Sequence, residues 1–185
     1  DTLMPAVNTP ICEFGWQAKN FSLPSTENKI IELDTARGRK GTLIMFICNH
    51  CPYVISILDE IIFEANELIK NEIAVIAISS NDVSTHPEDS FENMKRLSIN
   101  NNLPFPYLYD ETQEVAKVYN AACTPDFFGF NSDLRLQYRG RLSNKKENSK
   151  ELRRELFSAM MEIASNGKGP LDQIPSMGCS IKWKS

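Results

Sequence analysis

The chain has 185 residues, 42% of them hydrophobic, enough apolar material to fill a single core, so one domain spanning residues 1–185 is the expectation. Its 20 basic and 24 acidic side chains leave a net charge of -4 and are interspersed, which argues against a nucleic-acid footprint or a patch for anionic membrane. No apolar run reaches the ~20 residues of a membrane span, and residues 1–10 lack the basic and apolar order of a secretory leader.

In chain order, residues 29–33 read as one strand of an N-terminal hairpin. Residues 41–47, Gly-Thr-Leu-Ile-Met-Phe-Ile, form an apolar, partly β-branched run that suits a strand buried on both faces and ends at Cys48. Pro52 is acceptable in a first helical turn, and Ile55, Leu58, Ile61, Ile62, Ala65 and Leu68 recur at helical spacing, predicting a helix over residues 52–70. The next apolar run, residues 73–79, follows a crossover of the length that joins parallel strands, completing a βαβ unit. Residues 81–87 read as turn. Glu88 and Asp89 precede a helix with Phe91, Met94 and Leu97 on one face, and residues 112–120 read as another. Between them, residues 104–108 form only a short extended piece, because Pro104 and Pro106 each remove a backbone donor. Residues 127–130 and 134–139 are strand-like and separated by Asn131-Ser132-Asp133, a hairpin turn. A charged amphipathic helix over residues 149–165 ends at 167–170, and a tail too short and polar for an element of its own carries Cys179, Ile181 and Trp183, the last two expected to dock onto the domain. This order predicts an α/β protein of thioredoxin-like fold, a central mixed sheet flanked by helices with an N-terminal hairpin extension.

The five cysteines are odd in number and too sparse for a disulfide-stapled scaffold, so reactive thiols explain them better. Cys48-Asn49-His50-Cys51 falls between a predicted strand and helix. Cysteines three apart in a first helical turn share a face, close enough for a small disulfide, and the unpaired amides of a helix start favour a thiolate. His50 would add a cation beside it. Cys48, preceding the helix, is expected to be the more exposed sulfur, with a lowered pKa and the attacking role, leaving Cys51 to resolve the mixed disulfide. A metal site would need further ligands from Cys123, Cys179 or His86, none at finger-like spacing, so neither a metal nor a cofactor is expected.

The segments Phe46-Ile47-Cys48-Asn49-His50-Cys51-Pro52-Tyr53-Val54, Ser80-Asn81-Asp82, Pro104-Phe105-Pro106-Tyr107-Leu108, Ala122-Cys123-Thr124-Pro125-Asp126-Phe127-Phe128 and Gly178-Cys179-Ser180-Ile181-Lys182-Trp183 resemble peroxiredoxin-like proteins of the thioredoxin superfamily. These are relatives of the alkyl hydroperoxide reductase and thiol-specific antioxidant proteins, whose opening hairpin is also similar to Gly15-Trp16-Gln17-Ala18 with Phe21 and Leu23. The resemblance implies a thiol-based oxidoreductase. It also implies a cis Thr124–Pro125 bond facing Cys48, and so a place for both residues in the site. Laid on Cys51-Pro52, the peroxiredoxin signature Pro-x-x-x-Thr-x-x-Cys-Pro puts Ile44 at the proline and Cys48 at the threonine. That removes a hydroxyl that would polarise peroxide, and favours dithiol exchange.

The expected activity is therefore thiol-disulfide exchange by a Cys48/Cys51 pair in cell redox or antioxidant metabolism. The alternatives are a peroxidase with Cys51 as the attacking sulfur, assisted by Arg139 or Arg141, which otherwise read as surface charges, or a metal-binding module of the same fold. The partners would be a protein or small-molecule disulfide, or a peroxide, together with a thiol reductant, with no nucleic acid and no membrane. A cytoplasmic location is expected, and Asp1 without an initiator methionine leaves export open. Cys179, held by a docked tail, could receive the disulfide in turn, although a packed structural cysteine is at least as good a reading and a better one for Cys123.

Overall fold

A computed structural model describes residues 6–147 and 151–185. Its centre is β4 (Gly41–Phe46), whose six residues are all buried. Parallel to it runs β5 (Ile73–Ser79), which in turn pairs in parallel with β6 (Tyr107–Tyr109). On its other side lies the antiparallel β8 (Asp126–Asn131), followed by β9 (Leu136–Tyr138), giving the order β6-β5-β4-β8-β9. This is the mixed sheet the sequence predicts.

Because successive strand side chains point to opposite faces, β4 and its neighbours feed two cores. Leu43, Met45, Val75, Ala77 and Phe127 face one side. They pack there under Ile61, Ala65 and Leu68 of α3 (Leu58–Lys70) and under Leu156, Met160 and Ile163 of α6 (Glu155–Asn166). Ile44, Phe46, Ile76, Ile78, Phe128 and Phe130 face the other. They meet Leu33 of α1 (Leu33–Ala36), Ala116 of α5 (Glu114–Val118) and Tyr119. Each large side chain buried this way contributes about 1.5–3 kcal/mol, so the two-faced apolar run is what places β4, and the cysteines at its end, at the middle of the molecule.

Several elements differ from the sequence expectation. The helix anticipated over 52–70 is broken into α2 (Pro52–Ile55) and α3. Ser56 Oγ donates to the Tyr53 carbonyl at 3.1 Å, and Ile57, at φ -122 and ψ 8, leaves the helical path, so Ile55 is exposed. The last helix begins only at Glu155. Asn144 draws the chain before it aside, donating to Glu151 O and accepting from Arg153 N, and the anticipated start at Ser149 lies outside the described residues. After the 3-10 turn Pro87–Asp89, α4 (Phe91–Asn101) is capped by Ser90, which accepts from Asn93 N.

The tail is not elementless. β10 (Met177–Ser180) is a strand between β1 (Ala6–Asn8) and β7 (Cys123–Thr124), antiparallel to both. With a partner on each side, its backbone is satisfied by pairing, which Gly178 and Ser180 conceal in a propensity reading. Beyond it, Ile181 is buried as expected, but Trp183 remains 44% exposed. The hairpin extension is β2 (Ser22–Pro24) paired with β3 (Ile30–Glu32).

β8 and β9 are tied by an ion pair read beforehand as a surface charge. Arg139 is buried, donates from both Nε and Nη2 to Asp126, donates also to Asn120 O, and lies over the Phe128 ring. Burial outweighs the guanidinium and holds the Asp126 carboxyl above its usual range. Arg139→Ala strands that carboxylate in the core, and urea unfolding is expected to show a loss of about 3–5 kcal/mol.

Candidate active site

β4 continues its buried path through Ile47, whose N–H donates to Ile78 O, so the chain delivers Cys48 to the interior. Cys48 is 1% exposed and Cys51 is 0% exposed, so both are buried and exposure does not single out Cys48 as the accessible sulfur. Neither cysteine lies within a helix. Cys51 is the N-cap of α2, and residues 48–50 form a loop before it.

One carboxylate fixes that loop. Asp89, with no exposed surface, accepts from Asn49 N at 2.8 Å and from Asn81 Nδ2 at 2.9 Å. His50 Nδ1 lies 2.7 Å from Asp89 Oδ2, in ion-pair range but off the line of a hydrogen bond. Asn49 also donates to Glu88 O and accepts from Tyr107 Oη, and the His50 ring stacks on His86 with centroids 5.6 Å apart. Sequence reasoning does not mark Asp89, Asn81 or Tyr107 as site residues, and names His86 only as a possible metal ligand. Asn81 and Tyr107 stood inside quoted family segments, whereas Asp89 looked only like an acidic helix start.

The opposite wall is Thr124 and Pro125, joined by a cis bond. Thr124 Oγ1 is 3.5 Å from Cys48 Sγ, and its carbonyl oxygen is 3.3 Å from Cys51 Sγ. Cys179 reaches the same place from β10, its sulfur 2.7 Å from that of Cys51. Cys123 points elsewhere, toward Pro125 O, and burial raises its pKa. Cys48, His50, Cys51 and Thr124 are thus brought together, while Pro125 borders an open groove of about 580 Å³ that includes Pro52, Tyr53, Phe127 and Arg141.

The pair shares its charge unequally, and in the order opposite to the one expected. Cys51 is lowered to about 4 by the Cys48 thiol first, then by Cys179, Thr124 and the Val54 N–H, against the cost of burial. Cys48 is pushed well above the ordinary thiol range by Cys51, by burial and by the Asp89 carboxylate. The Asp89 carboxylate beside Cys48 thus works against the lowering expected there. Burial also raises Cys12, to about 11, and, together with Cys51, raises Cys179 to about 12.

Neither arginine candidate is free for an oxyanion. Arg139 is committed to Asp126, and Arg141 donates to Glu155 and Glu147. Cys48, His50 and Asp89 offer ligand atoms within 4.8 Å of one another, the one such trio among the described residues. Asp89 spends both its oxygens on Asn49 and Asn81, so a cation there would compete with the contacts that shape the loop.

The AhpC/TSA family matches residues 14–139, more than half of the sequence, and this range holds the cysteine loop, Asp89 and Thr124–Pro125. The chain belongs to the AhpC/TSA family. It is a peroxiredoxin-like member of the thioredoxin superfamily, and its chemistry is thiol redox chemistry. An uncharacterized conserved protein from Geobacillus kaustophilus is 44% identical over 98% of this chain and 97% of its own, with a TM-score of 0.90. The hypothetical protein SMc02350 from Sinorhizobium meliloti 1021 is 34% identical over 96% and 98%, with a TM-score of 0.87. The peroxidoxin BcpB from Mycobacterium tuberculosis, 13% identical over 83% and 94% with a TM-score of 0.59, shares the fold. No curated protein matches the sequence.

Thiolate absorbance against pH is expected to show one thiolate surviving acidification to an apparent pKa of about 4. Below that pH the charge is lost by protonation of Cys51. Cys48→Ser should retain this step, because a hydroxyl still donates to Cys51, and Cys51→Ser should abolish it. Retention in Cys51→Ser would assign the thiolate to Cys48.

Proposed function

We propose that this AhpC/TSA-family protein is a thiol-disulfide oxidoreductase in which Cys51 attacks and Cys48 resolves. The observation that carries the reading is the place of the Cys51 sulfur, at the N-cap of α2 and in contact with Thr124 and Cys179, where its pKa is lowered chiefly by the Cys48 thiol that would complete the exchange. The Cys51 thiolate attacks one sulfur of a substrate disulfide, forming a mixed disulfide and releasing the other as a thiolate. Cys48 then loses its proton and attacks Cys51. The Cys48–Cys51 bond forms, and the second substrate sulfur leaves with the electron pair.

His50 supplies a landing place for the Cys48 proton. One of its ring nitrogens lies within 4.8 Å of the Cys48 sulfur, and its Nδ1 carries no hydrogen bond and has the Asp89 carboxylate 2.7 Å away to stabilise the imidazolium that results. The reduced pair is regenerated by a thiol reductant. The groove lined by Pro52, Tyr53 and Pro125, the neighbours in sequence of Cys51 and Thr124, offers an apolar surface to the substrate.

A second reading, peroxide reduction by Cys51, is favoured by the same thiolate at a Cys-Pro helix start. Against it stand Cys48 in place of the signature threonine and two arginines already engaged by carboxylates. Under one dithiol reductant, insulin disulfide reduction is expected to outpace hydrogen peroxide consumption. Cys51→Ser should abolish the insulin reaction, and Cys48→Ser should accumulate a mixed disulfide on Cys51. Peroxide turnover faster than disulfide turnover, or a mixed disulfide trapped on Cys48, would reverse the assignment.

A further inference from the structure

Three sulfurs, not two, converge at the end of β4. Cys179 stands in β10 directly opposite Thr124 of β7, and Thr124 is the residue that touches both Cys48 and Cys51. The strands come this close because residue 178 is glycine, where a Cβ would overlap the Thr124 carbonyl oxygen. The placement is fixed from both sides. β1 covers the outer edge of β10, and beyond the strand Lys182 N donates to Asn81 Oδ1 at 2.8 Å. Asn81 Nδ2 donates to Asp89, so the carboxylate that shapes the cysteine loop also anchors the segment carrying Cys179. The result is a contact of 2.7 Å between Cys51 Sγ and Cys179 Sγ, with Cys179 2% exposed.

We propose that Cys179 is a third redox-active thiol, and that Cys51 is a switching sulfur whose disulfide passes between Cys48 and Cys179. This rests on the reading of Cys48 and Cys51 as a redox pair. Starting from the Cys48–Cys51 disulfide, the Cys179 thiol gives up its proton and its sulfur attacks Cys51. The Cys51–Cys179 bond forms and the Cys48–Cys51 bond breaks. Cys48 departs with the bonding electron pair and takes up a proton, so the oxidation level of the protein is unchanged and no external oxidant enters the step. The exchange returns Cys48 to the thiol state and moves the oxidised bond to the β10 side, away from the Asn49–His50 loop.

The test uses the full chain, oxidised with diamide, acid-quenched, alkylated and mapped by mass spectrometry after digestion. In wild type, both Cys48–Cys51 and Cys51–Cys179 linkages are expected. In Cys48→Ser, Cys51–Cys179 should become the main internal disulfide, and Cys48→Ser/Cys179→Ser should lose internal disulfides at Cys51 completely. Cys179→Ala, alongside Cys179→Ser and checked by thermal melting, separates loss of the thiol from loss of the fold. If Cys51 in Cys48→Ser is recovered only as thiol, sulfenic acid or an intermolecular disulfide while Cys179 alkylates after the quench, the third-thiol proposal is overturned. A Cys51–Cys179 linkage in wild type without any Cys48–Cys51 linkage would overturn the paired reading instead, and leave Cys179 as the sole partner of Cys51.

Discussion

The geometry of the site depends on one carboxylate with no access to water. Asp89 takes the Asn49 amide on one oxygen and the Asn81 amide on the other, while His50 stands against it. A charge buried this deeply is tolerable only when its lone pairs are engaged, and the groups that engage it are those that must be held still. Through Asn49 it sets the turn between the cysteines. Through Asn81 it reaches Lys182 and so the end of β10. Its field adds to what separates the thiols: Cys48 is raised first by Cys51 and by burial and then by this negative charge, while Cys51 is lowered.

That partition changes what a Cys-x-x-Cys spacing implies. The spacing makes a pair, but which sulfur carries the charge is decided by groups from the turn at residues 87–89, from β7 and from β10. In this chain the helix begins one residue after the second cysteine, so the Val54 amide serves Cys51, and Cys48 remains at the end of a buried strand. A sequence argument from helix position alone reaches the opposite order. It counts both cysteines into the first turn, whereas the structure has only the second at the cap.

Much of the rest could be read from the residues. The unbroken apolar run of β4, the β-branched run of β5 and the Asn131 turn each dictate one conformation by local chemistry alone, and all three are found where expected. The cis Thr124–Pro125 bond was anticipated through the resemblance. What escaped was non-local. β1 and β10 are strands only because each has a partner far away in sequence, and Asp89 gains its role only when Asn49 arrives 40 positions earlier in the chain. The break at Ser56 and the late start at Glu155 likewise come from side chains, Ser56 and Asn144, that compete for backbone groups a helix would use.

The sheet β1-β10-β7 has a practical consequence for handling the molecule. Residues 6–8 are two strands away from Thr124, joined to it through Ala6 opposite Cys179 and Cys179 opposite Thr124. A fluorophore, an affinity tag or a surface linkage attached through this segment therefore pulls on the redox centre, even though it is far from the cysteine loop in sequence.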